Sequence, residues 1–221
     1  FPGCVLTYFY PQVIEKIASV LEKNGFSVAI PRQLTCCGFP YLSQGWKKRF
    51  TTFRDKNKQA FEGIRFKHLV VPCGTGVMTF RNYYGLQDPG FGIYELTEFF
   101  HKYMADAAVL PREKVRARFP LTFHDPCHHL KTLGLADAPR HFLKRYGEGF
   151  IDNTDGLCCG FGGIFSVGFP STSKKILKRK EEQLKNMGAG TVVTACPGCY
   201  LHLKERLPED IGVEHFIDLF T

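Results

Sequence analysis

Asp125-Pro126-Cys127, Gly156-Leu157-Cys158-Cys159-Gly160-Phe161 and Thr194-Ala195-Cys196-Pro197-Gly198-Cys199 echo three earlier stretches of the same chain. These are Pro2-Gly3-Cys4, Leu34-Thr35-Cys36-Cys37-Gly38-Phe39 and Val70-Val71-Pro72-Cys73-Gly74-Thr75-Gly76. Cys4 and Cys127 are 123 positions apart, as are Cys73 and Cys196, while Cys36/Cys158 and Cys37/Cys159 are each 122 apart. Four cysteines that keep one offset to within a residue mark a duplicated domain, since solenoid repeats have far shorter periods.

Working outward from the cysteines, each half follows a similar course. Residues 11–23 place Val13, Ile14, Ile17, Val20 and Leu21 on one helical face, and Asn24-Gly25 supplies the stop. Residues 27–30 read as a strand, 47–64 as a charged helix and 68–71 as a short apolar strand running to Cys73. In the second half the readings are strand at 121–123, helix at 138–146, helix at 171–187 ended by Gly188, and strand at 191–195 leading into Cys196. Alternating strands and helices predict an α/β fold of two tandem, internally duplicated βαβ-type halves with parallel sheets. Cys4, Cys73, Cys127 and Cys196 fall just past strand C-terminal ends, the edge where open α/β sheets bind ligands. The halves are expected at 1–84 and 119–221, with a connector at 85–118 that is helical over 94–103.

Composition narrows the function classes. The 221 residues are 44% hydrophobic, enough for a core, and no stretch is apolar for long enough to span a membrane. No signal peptide is recognisable, and the start at Phe1-Pro2-Gly3-Cys4, beside an expected strand end, reads as an excised piece or one with its first strand clipped. Nine cysteines cannot all pair, and a chain of this size does not need disulfide staples, so clustered cysteines read as metal ligands in the cytoplasm. The net charge is +8, but no aromatic-basic recognition motif accompanies it, so no nucleic-acid role is expected. Lys174, Lys175, Lys178, Arg179 and Lys180, beside Glu181 and Glu182, read first as a solvated helix face. The other readings are compensation of thiolate charge or docking of an acidic redox partner.

The second half has the richer ligand set. Cys196-Pro197-Gly198-Cys199 is a tight turn with both sulfurs on one side, opening a helix whose N-terminus favours thiolates. Adjacent Cys158 and Cys159 would point to opposite faces of a strand, so they reach one ligand only if the chain turns, which Gly160 allows. With Cys127 the half offers five thiols, one more than a single tetrahedral ion takes. A multi-iron cluster accommodates five.

The pattern of one cysteine, thirty residues, Cys-Cys-Gly, thirty-five residues and Cys-Pro-Gly-Cys resembles the cysteine-rich CCG domain. Similar domains occur in the B and D subunits of heterodisulfide reductase, the iron–sulfur subunit of glycolate oxidase, lactate-utilisation iron–sulfur proteins and the C subunit of anaerobic glycerol-3-phosphate dehydrogenase. The resemblance implies that Cys127, Cys158, Cys159, Cys196 and Cys199 hold a [4Fe–4S] cluster, which is noncubane in the heterodisulfide reductases. In the first half Cys4, Cys36, Cys37 and Cys73 match, but Gly76 replaces the fifth cysteine. A second cluster with an open iron position, a zinc ion and a vestigial site of free thiols all remain as readings there. The ferredoxin-like cysteine spacing that often accompanies the family is absent from this sequence, so electrons would come from a partner subunit or from another region of the protein.

Other residues carry two readings each. His124, His128 and His129 flank Cys127 and would deliver protons or tune a cluster, or else cap a strand end and pair with Asp125. Lys131 would steer an anionic substrate or simply face solvent. The glycines at 160–163 serve the cysteine turn better than a phosphate, and no Rossmann or Walker fingerprint occurs. Three functions follow. The first is an oxidoreductase subunit passing electrons to a disulfide or similar acceptor. The second is a pure electron-transfer subunit serving a flavin dehydrogenase for lactate, glycolate or glycerol phosphate. The third is a structural zinc protein. The expected partners are a flavoprotein and a ferredoxin-type iron–sulfur protein, with a thiol or disulfide as substrate. The expected place is the cytoplasm, free or held at the membrane surface through those partners.

Overall fold

A computed structural model describes residues 1–86 and 90–221. The first half opens with α1 (Gly3–Phe9) and α2 (Pro11–Lys23), whose Val13, Ile17, Val20 and Leu21 are buried as the periodicity predicts. It continues through α3 (Phe39–Ser43), α4 (Lys47–Phe61), β1 (His68–Val71) and α5 (Gly74–Tyr83). Next come β2 (Gly92–Glu95), which pairs with β1 in parallel, and α6 (Leu96–Tyr103). Glu95 caps α6 by accepting from the Thr97 N–H at 2.6 Å, and Glu98 returns a bond from the Glu95 N–H at 3.0 Å, a reciprocal capping box.

The second half runs β3 (Leu121–Phe123), a π-helical turn at His128–Thr132, α7 (Asp137–Leu143), a 3-10 segment, β4 (Phe150–Ile151), α8 (Ile164–Gly168), α9 (Pro170–Asn186), β5 (Thr191–Thr194), α10 (Pro197–Lys204) and β6 (Gly212–His215). Its strands form one parallel sheet in the order β4-β3-β5-β6. The α/β class, the parallel sheets and the duplicated halves therefore stand as predicted. All four residues of β5 are buried, as a parallel sheet covered on both faces requires.

Three local expectations change. Residues 27–30 form no strand, because no neighbouring strand among the described residues completes a ladder with them. In the 94–103 segment, Tyr94 and Glu95 belong to β2 and the helix starts at Leu96, where the Glu95 cap sets its boundary. Residues 87–89 of the expected connector lie outside the described residues. The helix expected over 138–146 is α-helical only to Leu143 and continues as a 3-10 segment.

The halves share one core. Leu6, Tyr10 and Ile17 of the first half and Leu96, Phe99 and Phe100 of the connecting segment pack with Phe123, Phe142, Val193, Tyr200 and Phe216 of the second half. The Tyr10 and Tyr200 rings lie 4.8 Å apart across the boundary. Among the described residues no helix is long and apolar enough to cross a membrane.

Candidate metal centre

Each half presents its sulfurs from the same three places. Cys127 follows β3 at the start of the π-helical turn, whereas Cys4 lies in the first turn of α1 with no strand ahead of it among the described residues, unlike the strand end expected there. Cys73 and Cys196 are the N-cap residues of α5 and α10, both with extended backbone, and Cys199 lies in the first turn of α10. A helix start aims free N–H groups and a positive dipole end at these sulfurs.

The adjacent pairs are bent by the glycine that follows. Gly38 has φ +84° and Gly160 φ +90°. A Cβ on Gly160 would lie 2.6 Å from the Ser173 carbonyl oxygen, so only glycine closes this turn onto α9. The Gly160 N–H donates to the Cys158 sulfur at 3.2 Å, and Gly38 N–H donates to Cys36 at 3.5 Å. The first turn has a clamp that sequence reasoning missed. Buried Asn57 of α4 accepts from the Thr35 N–H at 2.7 Å and donates to the Cys36 carbonyl and the Tyr84 hydroxyl, each at 2.9 Å. Tyr84 in turn donates to the Cys37 carbonyl at 3.2 Å. The available signal was an asparagine at a position of α4 that its helix turns inward.

All nine thiols are free. Cys4 and Cys36, and Cys36 and Cys37, are close enough to perturb one another's ionisation. In the second half Cys127 and Cys158, Cys158 and Cys159, Cys159 and Cys199, and Cys199 and Cys196 are each close enough for one thiol to perturb the ionisation of the other. The five thiols expected as ligands thus form a run of near neighbours. Cys73 is not confined to the first-half group. Its thiol is close enough to Cys196 of the other half, and to Cys37 of its own, for both to raise its pKa.

Electrostatics within the run alternate. The neighbouring thiols Cys127 and Cys159, with help from Gly160 N–H, hold the Cys158 thiol down at about 2, whereas Cys158 and burial push Cys159 up to about 12. Cys196 is held well below the usual thiol range by Cys199 and Cys73, and Cys199 is held well above it. A run of sulfurs packed so closely cannot all ionise unless positive charge joins them.

Two cationic or polar groups stand at the run. Lys180 is buried, unlike its exposed neighbours Lys174, Lys175, Lys178 and Arg179, so the solvated-face reading holds for those four and not for Lys180. Its ammonium donates to Gln183 at 2.7 Å and feels the charges of Cys159 and Cys199, with burial lowering its pKa. His124 is 1% exposed, and neither ring nitrogen has a hydrogen-bond partner among the described residues. One of its nitrogens and the Cys159 and Cys199 sulfurs lie within 4.8 Å of one another. A buried orphan imidazole costs about 1–3 kcal/mol unless something satisfies it. Five converging thiols and an unsatisfied buried nitrogen suit a metal-containing group.

The other histidines act between the halves. His129 Nε2 stands 3.0 Å from the buried Glu95 carboxylate. Burial opposes the charge of His129, but Glu95 outweighs it and raises the pKa. His128 Nδ1 pairs with the Thr75 hydroxyl at 2.7 Å. Asp125, the partner expected for a histidine, instead takes both Arg140 terminal nitrogens, at 2.9 and 2.7 Å. Lys131 is exposed.

The comparisons with known proteins cover both cysteine-bearing halves. The model of the CCG cysteine-rich domain matches residues 1–81 and again 121–204. The B subunit of the CoM/CoB fumarate reductase of Methanothermobacter marburgensis is 29% identical over 99% of this chain, which spans 45% of that protein. An uncharacterised iron–sulfur protein of Methanocaldococcus jannaschii is 27% identical, and this chain spans 44% of it. Lactate utilization protein A of an Exiguobacterium species is 30% identical over the whole of this chain and 95% of its own length. With a match in each half covering more than half of its residues, this chain belongs to the CCG cysteine-rich domain family and carries that domain twice.

Proposed function

We propose that this chain is an iron–sulfur oxidoreductase subunit of the heterodisulfide-reductase kind. Cys127, Cys158, Cys159, Cys196 and Cys199 would hold a [4Fe–4S] cluster, and electrons from a partner would pass through it to a disulfide or similar acceptor. The observation that carries this reading is the meeting of the Cys159 and Cys199 sulfurs with an unsatisfied His124 ring nitrogen, all within 4.8 Å of one another, beside thiols that perturb one another's ionisation along the whole set of five. Zinc fits less well, because a single tetrahedral ion takes four ligands and would leave a buried thiol over.

When bound, the cluster supplies one-electron chemistry. The chain's own residues set the conditions for it. Gly160 N–H and the first turn of α10 favour thiolate at Cys158 and Cys196, and Lys180 offsets negative charge from within the core. Cys159 and Cys199 are buried, whereas Cys127, Cys158 and Cys196 are partly exposed, which gives an acceptor a side from which to approach. Cys4, Cys36, Cys37 and Cys73 form a second, smaller site in this reading. The cysteine-bearing halves are residues 1–84 and 119–221, joined by 85–118. Partner proteins, a flavoprotein or a ferredoxin-type iron–sulfur protein, would supply the electrons, in the cytoplasm or at the membrane surface.

A second reading, an electron relay for a flavin-dependent dehydrogenase of lactate, glycolate or glycerol phosphate, is favoured by one observation. The match to lactate utilization protein A spans 95% of that relative, against 45% of the fumarate reductase relative. Anaerobic titration of the reduced protein with disulfides, followed by electron paramagnetic resonance, separates the two. A cluster signal that changes with a disulfide supports the reductase. A signal indifferent to every disulfide, yet restored by a reducing flavoprotein, supports the relay.

A further inference from the structure

The histidines near the second-half sulfurs do not share one fate. His128 pairs with the Thr75 hydroxyl and His129 with the Glu95 carboxylate. His215 Nδ1 accepts from the Ile217 N–H at 3.3 Å. His124, alone of these four, has neither ring nitrogen engaged, although the residue is buried. Its backbone is fixed on both sides. The His124 N–H donates to the Val193 carbonyl at 2.8 Å, and its carbonyl accepts from the Thr194 hydroxyl at 3.3 Å. The end of β3 is thereby pinned to β5, and the ring is held where one of its nitrogens lies within 4.8 Å of the Cys159 and Cys199 sulfurs.

An imidazole in that place has two chemical roles open to it, metal ligand and hydrogen-bond donor. A metal-bound imidazole is as a rule held through its second nitrogen by a carboxylate, a carbonyl or a water. Among the described residues no protein group takes either nitrogen of His124. The five thiols beside it also already supply at least the four cysteine ligands that a [4Fe–4S] cluster takes. Both observations favour the donor role. The ring carries at least one N–H whatever its protonation state, and a buried donor is rarely left without an acceptor. The sulfurs of Cys159 and Cys199 are the acceptors that the geometry offers.

We propose that His124 donates its ring N–H to the sulfur of Cys159 or Cys199 in the loaded protein, and thereby raises the reduction potential of the second-half centre. Reduction adds negative charge to such a centre, and hydrogen bonds to its sulfurs are among the terms that set its potential. An N–H aimed at sulfur stabilises the more negative, reduced form more than the oxidised one. In a buried site the low dielectric strengthens that preference. His124 acts through the cysteines, so it is a positioning residue and not a catalytic one.

Because this role rests on the iron–sulfur reading, the test begins with iron and sulfide content. The wild type, His124→Phe and His124→Gln are reconstituted anaerobically with isotope-labelled histidine. Pulsed electron paramagnetic resonance of the reduced centre reads nitrogen coupling, and a redox titration reads the midpoint. The wild type is expected to show a weak histidine coupling, which His124→Phe loses while keeping its iron and sulfide. At a fixed potential the ratio of reduced to oxidised centre falls about tenfold in His124→Phe, a shift of about 59 mV for one electron. His124→Gln, which keeps an N–H donor, recovers part of that shift. If His124→Phe does not fold, the wild-type coupling and the His124→Gln midpoint carry the same decision. A loaded wild type with no histidine coupling, or one midpoint for all three forms, would overturn the proposal and leave the iron–sulfur reading standing. The strong coupling of a directly bound nitrogen, with iron lost from His124→Phe, would overturn it in favour of a ligand. A wild type that takes up no iron and sulfide would sink the iron–sulfur reading, and this role with it.

Discussion

At the residue scale, the buried charges decide how firmly the Cys127 loop is held. Arg140 is buried and spends its donors on Asp125, on Asp152 at 2.6 Å and on the carbonyls of Ala136 and Asn153. Removing it leaves Asp125 buried without a partner, so Arg140→Met is expected to cost about 3–5 kcal/mol in denaturant unfolding. Arg145→Met, at an exposed position, should cost less than about 1 kcal/mol. Glu214 gives a pH signature. Burial, with Asp218 beside it, raises its carboxyl from 4.5 to about 7. Between those values the unfolded chain releases a proton that the folded chain keeps, so stability falls as pH rises through the window. Glu214→Gln should therefore raise the melting temperature at pH 8 and leave it unchanged at pH 4. A gain of the same size at both values would exclude this origin. Every cysteine was legible in the sequence at this scale, because offset and spacing need no geometry. The pairing of His129 with Glu95, and the burial of Lys180, were not legible, because each depends on how the halves pack.

At the element scale, a strand followed by a helix start delivers each N-cap cysteine, and this was readable from the apolar runs at 68–71 and 191–195. The ends of α6 and α7 were not, because a capping box and a 3-10 continuation set them locally. Residues 27–30 have the composition of a strand but no paired neighbour, and a strand exists only through its partner. The fifth-cysteine position also belongs to this scale. A Cβ on Gly76 would sit 2.7 Å from Val71 Cγ1 and 3.7 Å from the Cys73 Cβ. Gly76→Cys alone is therefore expected to lower the melting temperature. Gly76→Cys with Val71→Ala should recover part of the loss and raise first-half iron retention, measured as metal content after anaerobic reconstitution. An equal loss in the double variant would mean that Val71 is not what closes the position.

At the scale of the whole molecule, the two halves are joined by a common core and by the nearness of Cys73 to Cys196, and the connecting segment is tied to the second half by Glu95 with His129. The duplication was legible in the sequence, whereas this joining was not, since nothing in a repeat says which faces meet. The nearness of Cys73 to Cys196 predicts that Cys73→Ser alters the paramagnetic signal of the second-half centre, while Cys4→Ser, whose nearest thiol is Cys36 of its own half, leaves it unchanged. The central claim is that second-half thiols grip iron and inorganic sulfide. Iron, zinc and acid-labile sulfide per chain, determined anaerobically for the wild type and for Cys159→Ser/Cys199→Ser, test it most directly. The account predicts about four iron and four sulfide for this centre, lost together in the double variant while the fold persists by circular dichroism. Zinc without sulfide, or iron and sulfide unchanged in the double variant, would contradict it.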